Sequence, residues 1–356
     1  MIPSPIETWN VIAEAPAVER HEFAHVLRTV GRGPTLSRPL TLDEAEAAMA
    51  MVLDGRAEPL QVGAFLLLLR YRGETVEELT GFTRAARARL ANGATARVDL
   101  DWPSYADAHK QLPYFLLAAL LLAGNGVRVL MHGLAGVGGG TTRHGLAALG
   151  LRPARSAAEA AATIEATGFA YLPVETMLPA LAEILDLKPV LGLRSFANTM
   201  ARELNPFHAP CQIQGVFHPP YLELHRGTQR LLGQPRAASF KGGGGEAQRN
   251  PEKACRVLEL AAGEEREASW PALAPGAGYP WRDEPLRADR LAAVWRGEVE
   301  EPALTAAVTG TAAIALKLLG RAAGADEAQA LAEAMWRARD RTRPGMAAGP
   351  APAHPA

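Results

Sequence analysis

Cysteine is almost absent: Cys211 and Cys255 are the only two in 356 residues. Two thiols so far apart exclude a disulfide framework and a zinc knuckle, and they read as buried thiols in a reducing compartment. Charge of one sign is lacking too, with 37 Lys and Arg against 38 Asp and Glu and a net charge of −1. The total charge therefore demands no polyanionic partner, and any phosphate or nucleic-acid site must be a local patch. No apolar run reaches membrane length: the longest, YFLLAALLLAG from Tyr114, falls well short of the roughly 20 residues that a span needs. The first residues carry no basic-then-apolar leader. These absences point to a cytoplasmic protein with no membrane partner.

What is present is a chain long enough for two structural units. Residues 41–92 predict three short helices in a small bundle. Thr41 and Glu44 have capping-box spacing with Gly55 closing the helix, and Pro59 stands at a first helical position before a run that stops at Gly73. Thr75 and Glu78 repeat the box before a helix ending near Gly93. An apolar helix over 113–123 then leads through GNG into VRVLMHG, a buried-strand pattern. Further strands are expected at ATGFAYLPV, CQIQGVFHP and RAASF, and further helices at ETMLPALAEIL and SFANTMAREL. Asn250 and Pro251 resemble an N-cap with proline at the first turn and Gly263 a C′ residue, so PEKACRVLELAA is expected to be a helix. Residues 263–301 read as a long surface excursion with little regular structure. Two alanine-rich helices follow near 302–319 and 325–340, and the chain ends in a disordered tail at 346–356.

The segments LTLDEAEAAMAMVLDGRAEPLQVGAFLLLLRYRGETVEELTGFTRAAR, VLMHG, GLAALGL and LGLRSFANTMARELNP stand in an order and spacing that resemble anthranilate phosphoribosyltransferase and its glycosyltransferase family 3 relatives. The resemblance covers roughly residues 30–340. It implies an α/β class fold of the nucleoside phosphorylase/phosphoribosyltransferase kind, with a small all-helical N-terminal domain and a larger α/β domain. The expected boundaries are 1–95 with returning helices at about 174–205 for the helical domain, and 96–173 with 206–345 for the α/β domain. It also implies a homodimer joined through the helical domain.

The residues that the resemblance aligns with the family's chemistry are altered. DWPSY, residues 101–105, stands at the family's Gly-Thr-Gly-Gly-Asp pyrophosphate turn, with Pro103 lacking an N–H and Trp102 and Tyr105 in place of glycine. Met131-His132-Gly133-Leu134 replaces Lys-His-Gly-Asn. The places of the magnesium-binding Asp-Glu pair fall at about Ala247 and Gln248, leaving Glu246 as the only carboxylate there. Arg194 matches the arginine that contacts the aromatic acid in the family, or it serves as a cap at the domain junction. These losses, with DWPSY…LPYFLLAALLLAGNGVRVLMHG and FKGGGGEAQRNP, resemble the divergent YbiB-like branch, which is associated with sequence-independent nucleic-acid binding. The resemblance implies no catalytic residue, no metal and no cofactor here.

The candidate phosphate site is Lys241 with Gly242, Gly243, Gly244 and Gly245, joined by Arg249, Lys253 and Arg256 at the N-terminus and margin of the helix expected from Pro251. Arg256 has a plainer reading, pairing with Glu252 or Glu259 along that helix. The glycines also fit a simple flexible turn. Lys110 and Arg143 can extend a basic channel at the mouth of the old active site or be solvated charges, and Arg194 is counted with the phosphate-binding candidates. Trp102, Tyr105 and Tyr114 can stack bases or pack the fold, and His132 reads as a core histidine. The leading expectation is a nucleic-acid-binding homodimer reading backbone phosphates. Its rivals are an active pentosyltransferase or phosphorylase of unknown substrate and a protein-interaction dimer with no ligand.

Overall fold

A computed structural model describes residues 21–345 apart from 91–95, 107–110, 135, 137 and 280–283. Four helices open the fold: α1 (Ala24–Gly31), α2 (Leu42–Leu53), α3 (Pro59–Arg72) and α4 (Val76–Arg87). Both capping boxes form. Glu44 N–H donates to Thr41 Oγ1 at 3.3 Å while Thr41 N–H donates to Glu44 Oε2 at 2.9 Å, and Thr75 with Glu78 does the same. Glu78 is fully buried because its carboxylate also accepts from Leu40 N–H and the Arg72 guanidinium.

The strands β1 (Leu100–Ser104), β2 (Val129–Gly133), β3 (Phe169–Pro173), β4 (Cys211–Val216), β5 (Arg236–Lys241), β6 (Cys255–Ala261) and β7 (Glu264–Trp270) make one sheet of order β3-β2-β1-β4-β5-β6-β7. Pairing is parallel from β3 to β5 and antiparallel thereafter. Helices α5 (Tyr114–Ala123), α6 (Thr142–Ala148) and α7 (Ala157–Thr167) lie between β1 and β3. The short helices α8 (Val174–Met177), α9 (Pro179–Leu185), α10 (Lys188–Leu191) and α11 (Ala197–Met200) precede β4, and α12 (Pro220–Leu231) joins β4 to β5. The fold closes with α13 (Asp289–Arg296), α14 (Pro302–Leu318) and α15 (Ala325–Ala338).

Two cores result. One sheet face packs with α5 and α14, where Trp102 and Tyr114 are buried; the other core joins α1–α4 to α8, α9 and α11, with Tyr105 at its sheet side. Phe65 ties that second core together edge-on to Phe23, Phe82 and Phe196 at 5.4, 5.8 and 5.6 Å. Aromatic stacking of bases by Trp102, Tyr105 or Tyr114 is therefore ruled out, since all three rings have no exposed surface.

The structure overturns three local expectations. PEKACRVLELAA is not a helix: Pro251–Lys253 form a turn in which Asn250 Oδ1 accepts from Glu252 N–H at 2.9 Å, and Cys255–Ala261 is β6. Ala262 and Gly263, at φ of 52° and 83°, make the two-residue turn of a β6–β7 hairpin, so the glycine that resembled a helix end closes a hairpin. Residues 263–301 hold β7 and α13 rather than an irregular excursion. DWPS, residues 101–104, lies inside β1 rather than in a turn after it. The helices α1, α6, α7, α10 and α12 were not anticipated.

Candidate functional site

β1 occupies the point where the chain reverses the direction in which it adds strands: β2 and β3 lie to one side of it and β4 and β5 to the other. In parallel sheets the crevice beyond the carboxyl ends of such strands is the usual ligand site. Here the crevice is widened, because β1 and β4 pair only at Leu100↔Cys211 and Asp101↔Gln212. Pro103, which has no N–H to continue a ladder, stands just past the point where pairing with β4 stops. Pairing of β1 with β2 runs on to Ser104↔Gly133.

A cleft of about 440 Å³ opens at this crevice, between the sheet and the helices. Arg70 comes from the last turn of α3, Lys188 from the start of α10, and Arg194 with Asn198 from the segment entering and forming α11; Phe217 and His218 come from the link between β4 and α12, and Tyr221 from the first turn of α12. The described lining residues include Arg202 but no aspartate or glutamate. Arg70 Nη1 donates to Tyr221 Oη at 3.2 Å. The Arg194 guanidinium is held below its usual value, by burial first and then by the nearby Arg202 and Arg70 charges, with Glu246 pulling the other way. Like charges crowded into one wall are a site that gains from an anion.

Beneath the cleft lies the glycine run. Gly242 N–H donates to Val216 O at 3.0 Å, Gly243 N–H to Gln248 O at 2.8 Å, Gly245 N–H to Gly242 O at 3.2 Å and Glu246 N–H to Gly243 O at 2.9 Å. The N–H groups of Gly242, Gly243 and Gly245, three of the donors expected to cradle a phosphate, are thus spent within the chain. The glycines are needed for packing instead: a Cβ on Gly242 would fall 1.7 Å from Glu246 O, and one on Gly243 1.7 Å from Gln111 Nε2. Arg202, buried and held below its usual pKa by that burial, clamps this loop to β4 by donating to Gly245 O and Gly215 O at 3.0 and 2.9 Å.

Glu246 is buried at the same junction, with Oε1 accepting from Ala106 N–H at 2.8 Å. Burial pushes its carboxyl up to about 7 against the opposing pull of Arg202 and Arg194. Ala247 and Gln248, at the places the resemblance gives to the magnesium pair, are both buried. Gln248 Oε1 accepts from Phe115 N–H at 2.8 Å, and its amide donates to Tyr279 Oη at 2.9 Å and Leu112 O at 3.2 Å. This donor set, one half-neutral buried carboxyl and an amide already engaged, does not fit a magnesium diphosphate. His132 is a core histidine, between Tyr105 Oη at 2.9 Å and Asp101 at 3.2 Å.

The structure scatters much of the expected phosphate site. With a turn and a strand at 251–261 instead of a helix, the helix N-terminus expected to join Lys241 does not form. Arg249 is wholly buried, its guanidinium donating to Pro271 O and lying 5.6 Å from the Trp270 ring. Arg256 is paired, though not along a helix: it meets Glu267 on β7 at 2.7 Å and Glu223 on α12 at 3.3 Å. Lys241 and Lys253 are exposed, and the register Phe240↔Val257 leaves both near the carboxyl end of β5, the same end of the sheet as the cleft. Arg143 pairs with Glu175 at 3.1 Å and is not a lining residue. Lys110 lies outside the described residues. Of the expected residues, Arg194 and Gly244 line the cleft. Sequence reasoning missed Arg70, Lys188 and Phe217; their only local signal was a cation at a helix end or an aromatic after a strand.

Residues 24–90 match the profile of the glycosyl transferase family helical bundle domain, and residues 115–347 that of the glycosyl transferase family a/b domain. Anthranilate phosphoribosyltransferase of Methylocella silvestris is 31% identical over 208 residues, 58% of this chain and 60% of that protein. The uncharacterized protein YbiB of Escherichia coli K12 is 28% identical over 245 residues, 67% of this chain and 76% of that one. The matched region thus spans about 60% of the length of the first such transferases. Among solved structures, anthranilate phosphoribosyltransferase from Thermus thermophilus superposes with a TM-score of 0.73 at 24% identity, covering 87% of this chain and 94% of that one. The Saccharomyces cerevisiae enzyme in complex with PRPP and Mg gives 0.71 at 14% identity, covering 89% and 94%. At these identities the likeness speaks for the fold.

Proposed function

The chain belongs to the glycosyl transferase family that joins a helical bundle domain to an a/b domain, and from that premise we propose that its junction cleft binds nucleic-acid backbones without sequence preference. The observation that carries this reading is the lining: Arg70, Lys188 and Arg194 reach one cleft from three separate elements, with no carboxylate among the described lining residues. Contacts from such side chains to phosphate oxygens carry no sequence information, so the affinity they give is electrostatic and indifferent to sequence. Lys241 and Lys253, exposed at the same end of the sheet, extend the positive field. In this reading two copies associate through the helical domain, where α3 leaves Leu60, Leu67 and Tyr71 exposed beside Val190 and Leu193. Exposed apolar residues grouped on adjoining elements are the mark of a covered surface.

Pentosyl transfer is the weaker reading, because displacing pyrophosphate from the sugar carbon needs a charged cradle and a metal clamp for that leaving group. Here the N–H groups of Gly242, Gly243 and Gly245 are internally bonded, and the magnesium-pair places hold Ala247 and Gln248. The test is a binding assay with single-stranded and duplex oligonucleotides of unrelated sequence over a salt series. Sequence-indifferent binding that weakens steeply with salt supports the proposal; no binding at about 50 mM salt, where such contacts are strong, refutes it.

A further inference from the structure

Phe217 follows directly on the last residue of β4, and it is the large apolar side chain of the cleft that stays in water, 47% exposed. Gly245 lies next to its backbone: a Cβ on Gly245 would lie 3.4 Å from Phe217 N and Cβ, and Gly245 itself sits at a φ of 95° that favours glycine. The ring is thus placed where the end of β4 meets the glycine loop. Its one ring contact among the described residues is His218, edge-on at 4.8 Å and 80°, so no ring of a described residue lies parallel over it. The cleft around it holds Arg70, Lys188, Arg194 and Tyr221.

A half-exposed aromatic ring gains little for the fold, yet the same ring beside cations is what single-strand binders use, a π-face for a base with positive charge for its phosphate. Resting on the nucleic-acid reading above, we infer that Phe217 is the stacking platform for one unpaired base, and that it makes the cleft favour single strands over duplex. In a duplex the base faces are already stacked on each other, leaving only phosphate contacts. The role expected for Trp102, Tyr105 and Tyr114 falls instead to this ring, because it alone of the four faces solvent.

The test is fluorescence anisotropy with the full chain and three probes of equal length: a single strand, the same strand with abasic sites throughout, and a duplex. The wild type is expected to bind the single strand more tightly than the abasic strand. Phe217→Ala should weaken single-strand binding by about 5- to 150-fold, the range for loss of one base–aromatic stack, and leave the abasic strand and the duplex unchanged. Phe217→Trp should retain binding and show its indole emission quenched by the single strand and not by the abasic one. An unaltered unfolding midpoint of Phe217→Ala excludes a folding cause. A wild type that binds strand and abasic strand alike, or a Phe217→Ala protein that binds the single strand as well as wild type, overturns the inference and leaves the backbone-binding proposal standing. A wild type that binds none of the probes overturns both.

Discussion

Replacing Glu246 by Gln should change the pH dependence of stability by a calculable amount. The carboxyl is buried at the junction of β1, β4 and the glycine loop, and its pKa rises from 4.5 to about 7 on folding. Between those values the folded chain holds one proton that the unfolded chain has released. Stability from this group is thus fully present below about pH 4.5 and is lost as pH climbs through about 7. At about 1.4 kcal/mol per unit, the loss is on the order of 3 kcal/mol. Glutamine keeps an oxygen for the Ala106 N–H and does not ionise, so Glu246→Gln should match the wild type near pH 4.5 and exceed it by about 3 kcal/mol at pH 8. Urea unfolding of both proteins at several pH values gives the comparison, and taking the difference cancels every other titrating group. A difference that stays constant from pH 4.5 to 8, or one that grows toward acid, would refute the account of a neutral buried carboxyl.

Two further outcomes follow from burial. Tyr71→Asp, on a side chain 94% exposed, should turn a dimer into a folded monomer by sedimentation, whereas Leu66→Asp, on a side chain 1% exposed, should unfold the bundle by roughly 3 kcal/mol or more; a Tyr71→Asp protein with wild-type sedimentation contradicts the proposed face. Incubation with anthranilate, phosphoribosyl pyrophosphate and magnesium should give no turnover above buffer, and magnesium-dependent product would contradict the reading of Ala247 and Gln248.

The bundle and the order of the α/β elements were legible because their signals are local. Thr41 with Glu44 and Thr75 with Glu78 carry the whole capping geometry within four residues. The hairpin was not legible, since Asn250-Pro251 and Gly263 suit a helix as well as they suit an Asx turn and a two-residue hairpin loop. Only pairing of β6 with β5 and β7 decides between them, and that is a tertiary fact. The same cause hid the cleft. Arg70 and Phe217 stand 147 positions apart (217 − 70) and meet because the sheet and the bundle pack together. Arg249, which resembles an exposed cation beside glycines, is drawn inward by Trp270 and Pro271, residues from the far end of the hairpin.

The salt dependence of oligonucleotide binding by the wild type and by the Arg70→Ala/Lys188→Ala double variant tests the central claim most directly. Arg70 is exposed and Lys188 half-buried, so the fold should survive both changes. Each phosphate contact removed lowers the slope of log K against log[salt] by about 0.7 to 0.9, so the variant should bind more weakly across unrelated sequences with a slope shallower by about 1.5. A double variant with wild-type affinity and wild-type slope would place nucleic-acid binding outside this cleft.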